Sequence, residues 1–130
     1  MKYKILIVLA KFYEDISKNL IIGAKEKLKG KANIKIIEVP GSFEIPVVIS
    51  KNIKKYDGFV ALGSIIKGET PHFDFISQTI TDAIMKLAVN SKKPIGNGVI
   101  TTLNKKQAEF RSLTKGQETA AAVLSVLDNF

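Results

Sequence analysis

Apolar residues fall along this chain in two alternating rhythms. Residues 2–10, KYKILIVLA, close into an unbroken apolar run, the pattern of a strand buried on both faces rather than one with a solvated side. Ile16, Leu20, Ala24 and Leu28 then recur every fourth residue, which draws one stripe along an amphipathic helix, and Gly30 is placed to stop it. A second strand is predicted over 33–39, NIKIIEV, followed by a turn at Pro40-Gly41-Ser42. Residues 43–56 predict a helix that tolerates Pro46 near its start. DGFVALGS at 57–64 predicts a third strand, with a loop carrying Gly68 behind it. The spacing of Phe73, Ile76, Ile80, Ile84 and Leu87 predicts a helix from about Pro71 to Asn90. PIGNGVITT at 94–102 predicts a fourth strand, and the tail reads as a short helix near 104–112 and a longer one from Gly116 to Asn129.

Strands alternating with helices argue for a parallel sheet covered on both faces. The expected fold is therefore one domain over 1–130, a three-layer α/β/α sandwich with a four-stranded parallel flavodoxin-like sheet in the order 2-1-3-4. Ligands in such sheets sit beyond the carboxyl ends of the strands. Any site is then expected in the loops KFYED, PGSFE, SIIKGETPHF and TTLNKKQ.

Composition removes several function classes. The chain is 45% hydrophobic and 25% charged, enough apolar surface for a packed core and poor material for disorder. It has no cysteine and one histidine, so disulfides and a cysteine nucleophile are excluded and no metal site is expected. No apolar run approaches the roughly 20 residues of a membrane span. The short apolar N-terminus lacks a small-residue cleavage site and continues into a charged amphipathic stretch. A cytoplasmic protein with no membrane partner is expected. The net charge is +8, which raises nucleic acid as a partner. The basic residues are lysines apart from Arg111 and are spread over the whole chain. Aromatics interleaved with them, as single-strand binders use, are absent. No nucleic-acid partner is expected, and anionic small substrates fit the charge.

The loop GSIIKGET has the outline of a phosphate-binding loop, with Gly63 and Gly68 five apart and Thr70 in place. The position that requires lysine is Glu69, so a nucleotide triphosphate loses its main countercharge. A glycine loop entering a helix still offers N–H groups and a positive dipole end to a phosphate monoester. Thr70 is equally readable as a plain N-cap ahead of Pro71. His72 is placed in the first turn of that helix, where an imidazole can accept a proton and return it. In VPGSFE, Ser42 and Glu44 offer hydrogen-bonding groups to a polyol, or form a capping arrangement. Phe12, just past the first strand, can stack on a flat heterocycle or pack beneath its loop. Arg111 can grip a phosphate with two donors.

With these loops in view, the chain resembles the lumazine synthase family, whose members make 6,7-dimethyl-8-ribityllumazine in riboflavin biosynthesis. The matching pieces are AKFYE (10–14), VPGSFEIP (39–46), ALGSIIKGETPHFDFIS (61–77), NGVITT (97–102), QAEFR (107–111) and TKGQETAA (114–121). The resemblance implies condensation of 5-amino-6-(D-ribitylamino)uracil with 3,4-dihydroxy-2-butanone 4-phosphate, without metal or organic cofactor. It implies that Phe12 stacks on the pyrimidine and that Ser42, Phe43 and Glu44 hold the uracil and ribityl chain. Ser64, Ile65 and Ile66 would line the pyrimidine edge, Glu69 and Thr70 would cradle the phosphate through backbone N–H groups, and His72 would shuttle protons. Asn97 and Arg111 would come from a neighbouring subunit of a homopentamer, with Arg111 on the phosphate, and Lys115 would approach the uracil.

The sequence departs from the family's pattern in places. Tyr13 stands where the family often has asparagine and Lys67 where arginine is frequent. The stretch from Arg111 to Lys115 is shorter than usual, and the chain starts almost at its first strand, which leads to the expectation of an isolated pentamer or a pair of pentamers. Other functions remain open at this level: an archaeal-type riboflavin synthase, or a non-catalytic lumazine- or flavin-binding module. A receiver domain needs an aspartate after the third strand, where this chain has Gly63-Ser64.

Overall fold

The structure, a computed structural model, describes residues 2–130. Its sheet contains β1 (Tyr3–Ala10), β2 (Ala32–Val39), β3 (Gly58–Ile66) and β4 (Ile95–Thr102), in the order β2-β1-β3-β4. All three pairings are parallel. The expected sandwich and strand order are those observed. The unbroken apolar run of β1 has a direct cause. Ile5, Ile7 and Leu9 enter one core while Leu6, Val8 and Ala10 enter the other, because successive side chains on a strand point to opposite faces.

Helices α1 (Glu14–Leu28) and α4 (Lys105–Asn129) cover the first face, and α2 (Ile45–Asn52) and α3 (Phe73–Ser91) the second. Ile16, Leu20, Ala24 and Leu28, the predicted stripe of α1, are all buried. Ile45, Ile49, Ile80 and Ile84 fill the opposite layer. Each large aliphatic chain removed from water in this way contributes about 1.5–3 kcal/mol.

Two helix expectations need correction. The tail is one continuous helix, α4, with no break before Gly116. Glycine disfavours a helix interior, but here it allows α4 to lie on α1. A Cβ at Gly116 would run into the Leu20 carbonyl oxygen, and one at Gly23 into that of Leu113. Packing against α1 outweighs the local propensity of Gly116. The predicted helix over 43–56 is also shorter. It opens as a 3-10 turn, Ser42–Glu44, and ends at Asn52, whose Nδ2 donates to the Val48 carbonyl at 2.8 Å. Beyond it the chain is drawn into the sheet: the Asp57 N–H donates to the Lys4 carbonyl, and the Lys4 N–H to Asp57 Oδ2, each at 2.7 Å.

One feature of register positions the site. β1 pairs with β3 only as far as Leu9–Leu62, whereas β3 continues along β4 to Ile66–Thr102. The last residues of β3, Ser64–Ile66, therefore rise past the ends of β1 and β2 as a step. The loops after β1 and β2 fold up beside that step.

Candidate active site

The step makes one wall of a depression. A cavity of about 230 Å³ is lined by Phe12 and Tyr13 after β1, Gly41, Ser42 and Phe43 after β2, Ser64, Ile65 and Ile66 of β3, and Glu69, Thr70 and Ile76 beyond it. Most of the residues expected at the site from three separate loops thus converge. Phe12 and Phe43 are 70% and 57% exposed, and an aromatic left open beside a small pocket can stack on a flat ring. Ser42 is buried, yet its Oγ has no hydrogen-bond partner among the described residues. A buried hydroxyl without a partner carries a desolvation cost that a bound polar group relieves. Gly63 lets it sit there: a Cβ on Gly63 would come within 2.5 Å of Ser42 Oγ and 3.0 Å of Ala10 Cβ. Gly41 is the N-cap of the 3-10 turn and Glu44 that of α2, so Ser42 caps neither.

Thr70 is shared with a second depression of about 430 Å³, lined also by Lys67, His72, Phe73 and Asp74. The helix expected from about Pro71 starts two residues later. The helix begins at Phe73, and His72 is its N-cap, with φ −106° and ψ 23°. Thr70 is not the cap. Its Oγ1 accepts the His72 N–H at 3.2 Å, a local turn that competes with helix formation. Lys67–Glu69 form a short 3-10 turn in front of it. His72 is exposed, beside the open N-terminal end of a nineteen-residue helix, where the dipole favours an anion.

Arg111 and Lys115 are elsewhere on the rim. With Thr101 and Phe110 they line a cavity of about 400 Å³ over β4 and α4. Arg111 also borders one of about 610 Å³ that shares Phe73 with the His72 depression. Because α4 is continuous, their spacing of four puts them on the same helix face. Neither lines the cavity that holds Phe12 and Ser42. Asn97 is exposed on the edge strand β4, with its Oδ1 accepting the Val99 N–H at 3.1 Å. Glu44 lines none of these cavities; its N–H donates to the Gly41 carbonyl at 3.2 Å. Within one chain most of the expected residues therefore fall into two sets, one around Phe12 and His72 and one around Arg111 and Lys115, with Glu44 and Asn97 in neither.

Sequence reasoning notes Tyr13 only as a departure, yet it lines the first cavity. Its ring meets Phe12 edge-on, with centroids 4.8 Å apart, and Lys105 Nζ lies 5.7 Å from its centroid. Burial first, then the nearby Glu69 carboxylate, raise its hydroxyl above the ordinary value. The cap of α4 is also clear only in the structure. The Gln107 N–H donates to Asn104 Oδ1, and the Leu103 N–H to Gln107 Oε1, both at 2.9 Å. The signal, an asparagine with a glutamine three residues on, is a capping box. Among the described residues no helix is long and apolar enough to cross a membrane.

Comparison with known proteins agrees with this geometry. Residues 2–130 match the family model for 6,7-dimethyl-8-ribityllumazine synthase. The chain is 42% identical to the 6,7-dimethyl-8-ribityllumazine synthase of Agrobacterium fabrum over 139 aligned residues, covering 98% of this chain and 94% of that one. It is 42% identical to the protein of that name from Leuconostoc mesenteroides, covering 96% of this chain and 85% of that one. With Rhizobium meliloti 6,7-dimethyl-8-ribityllumazine synthase 1 it shares 40% identity across 95% of its own length and 89% of the relative's. From its first strand to its last helix, the chain belongs to the 6,7-dimethyl-8-ribityllumazine synthase family.

Proposed function

We propose that this protein condenses 5-amino-6-(D-ribitylamino)uracil with 3,4-dihydroxy-2-butanone 4-phosphate to 6,7-dimethyl-8-ribityllumazine, releasing phosphate and water. The observation that carries this reading is the convergence of Phe12, the unpartnered Ser42 Oγ, the Ser64–Ile66 step and Thr70 on one depression beside His72, in a chain of this family. The pyrimidine stacks on Phe12, with the backbone of Ser64, Ile65 and Ile66 along its edge and Phe43 against the uracil and ribityl chain. Ser42 Oγ gains the partner it lacks, and Glu44 takes the ribityl chain. The phosphate lies at the turn of Glu69 and Thr70, where the α3 dipole favours it.

The primary amine then attacks the ketone carbonyl, and loss of water gives an imine. A proton leaves the adjacent carbon as the C–O bond to phosphate breaks, and His72 is placed to carry it. The resulting enol becomes a ketone, the ribitylamino nitrogen attacks that carbon, and a second water departs. Holding both substrates side by side provides most of the acceleration.

Arg111, Asn97 and Lys115 complete this reading from an adjacent subunit. The separation of Arg111 and Lys115 from the Phe12 cavity within one chain fits a site shared between subunits; in this reading the assembly is a homopentamer, with Arg111 neutralising the phosphate and Lys115 approaching the uracil. The protein acts in the cytoplasm on soluble substrates. Mixing the two substrates with the protein and following lumazine absorbance and fluorescence tests the activity. Size-exclusion chromatography with light scattering tests the assembly. Tight binding of a ribityl compound without turnover would make the protein a binding module instead.

A further inference from the structure

Phe12 and the pair Ser42–Phe43 line one cavity from two different loops, so the width of that cavity depends on what ties the loops together. On the side of β3 the pairing of β1 stops at Leu9–Leu62. On the side of β2 it runs on to Ala10–Val39, and the Lys11 N–H adds a bond to the Val39 carbonyl at 3.0 Å. Lys11 Nζ then reaches Glu38 Oε2 at 3.2 Å. Phe12 directly follows Lys11, and Pro40-Gly41-Ser42 follow shortly after Glu38. Neither Lys11 nor Glu38 lines the cavity itself. Ser17 Oγ donates to the Ala10 carbonyl at 3.0 Å, a bond that closes the first loop on its own base and does not reach the second.

We propose that the Lys11–Glu38 ion pair is a clasp that sets the separation of Phe12 from Ser42 and Phe43, and thereby the fit of the pyrimidine, without either residue touching substrate. This inference rests on the pyrimidine site described under the proposed function. Lys11 and Glu38 are positioning residues rather than a source of stability. Their side chains are 50% and 51% exposed, and an exposed pair adds little to the folding of a whole domain. Acting on two short loops, the same small energy shifts the balance between gathered and splayed arrangements about threefold. The apparent affinity for a ligand that needs the gathered arrangement falls with the fraction in which it is present. Salt screens an exposed pair, so the clasp also makes the fit sensitive to ionic strength.

Steady-state kinetics on Lys11→Gln, on Glu38→Gln and on the exchanged pair, Lys11→Glu with Glu38→Lys, test this. The two single variants change the net charge in opposite directions, so a long-range field would move the KM of the anionic butanone phosphate oppositely in the two. A clasp moves the KM of the uncharged pyrimidine the same way in both. Each single variant raises it about threefold, the exchanged pair restores it, and the melting temperature is unchanged. In ~0.5 M salt the KM of the native protein rises to that of the variants, whose own values stay constant. The proposal is overturned if neither single variant changes the pyrimidine KM, or if the exchanged pair is no better than the single variants. It is equally overturned if KM rises for both substrates with a lower melting temperature, or if the native value is indifferent to salt. Phe12→Ala is the control for the underlying site. If Phe12→Ala raises the pyrimidine KM while the Lys11 and Glu38 variants are silent, only the clasp falls. If Phe12→Ala is silent too, the site and the clasp fall together.

Discussion

Thr70 Oγ1 accepts the backbone N–H of His72 at 3.2 Å. That one bond ties His72, just outside α3, to the residue shared by the two depressions. Thr70→Val keeps the shape and removes the acceptor. It should lower kcat about three- to tenfold, since a single hydrogen bond is worth about 1 kcal/mol, while Thr70→Ser retains activity. A Thr70→Val enzyme with unchanged kcat would show that the turn does not matter to the chemistry.

His72→Ala is expected to lose less activity than Arg111→Ala. Positioning two substrates contributes more than proton transfer when the attacking amine is already nucleophilic. Losses of about tenfold and about a hundredfold are expected for the two variants on this argument. A dead His72 variant alongside a healthy Arg111 variant, in the same lumazine assay, would reverse the assignment of roles.

Ser42→Ala separates stability from binding. The Oγ has no partner among the described residues, so its removal leaves the melting temperature unchanged or slightly higher. The KM for the pyrimidine should rise about tenfold, because a polar contact made only with ligand is lost. A fall in melting temperature with constant KM would mean that the hydroxyl has a structural partner.

Gly116→Ala tests the packing of α4 on α1. The new Cβ meets the Leu20 carbonyl oxygen, and overpacking of this kind costs about 1–3 kcal/mol. Thermal denaturation measures it. A neutral outcome would show that the two helices can slide apart without loss.

Tyr3 gives a pH prediction. Its hydroxyl donates to Asp128 Oδ1 at 2.7 Å. That hydrogen bond, followed by desolvation and the Asp128 and Asp57 charges, raises its pKa above the ordinary 10.0. The folded state holds the phenolic proton more tightly than the unfolded chain. The resulting stability is therefore fully present below pH 10.0 and is lost as pH rises through the folded value. The difference in stability between the protein and Tyr3→Phe should be constant to about pH 9 and shrink in more alkaline buffer. A difference that grows there would contradict the direction of the shift.

The sheet is legible in the amino-acid order because β1 and β3 are buried on both faces, and continuous apolar runs have few other uses. The strand-end rule then points to the rim where Phe12, Ser42 and Thr70 line one depression. Gly116 misleads because its value is set by Leu20, 96 positions away in sequence, and no local propensity contains that contact. His72 is displaced from the helix by Thr70, a competition between a side-chain turn and a cap that spacing alone leaves undecided. Tyr13 is inconspicuous for a similar reason: Lys105 and the α1/α4 core are brought to its ring only by the fold. The grouping of Arg111 with a neighbour's pocket rests on family resemblance, because nothing in one chain's periodicity describes a second chain.

The chain contains one imidazole, His72, and it stands at the mouth of the helix next to Thr70. Its ring protons therefore give the only histidine resonances in a magnetic-resonance spectrum of the unlabelled protein, and these need no assignment. Titrating inorganic phosphate while watching that single pair of lines reports occupancy of the loop at residue level, without substrates, turnover or an engineered probe.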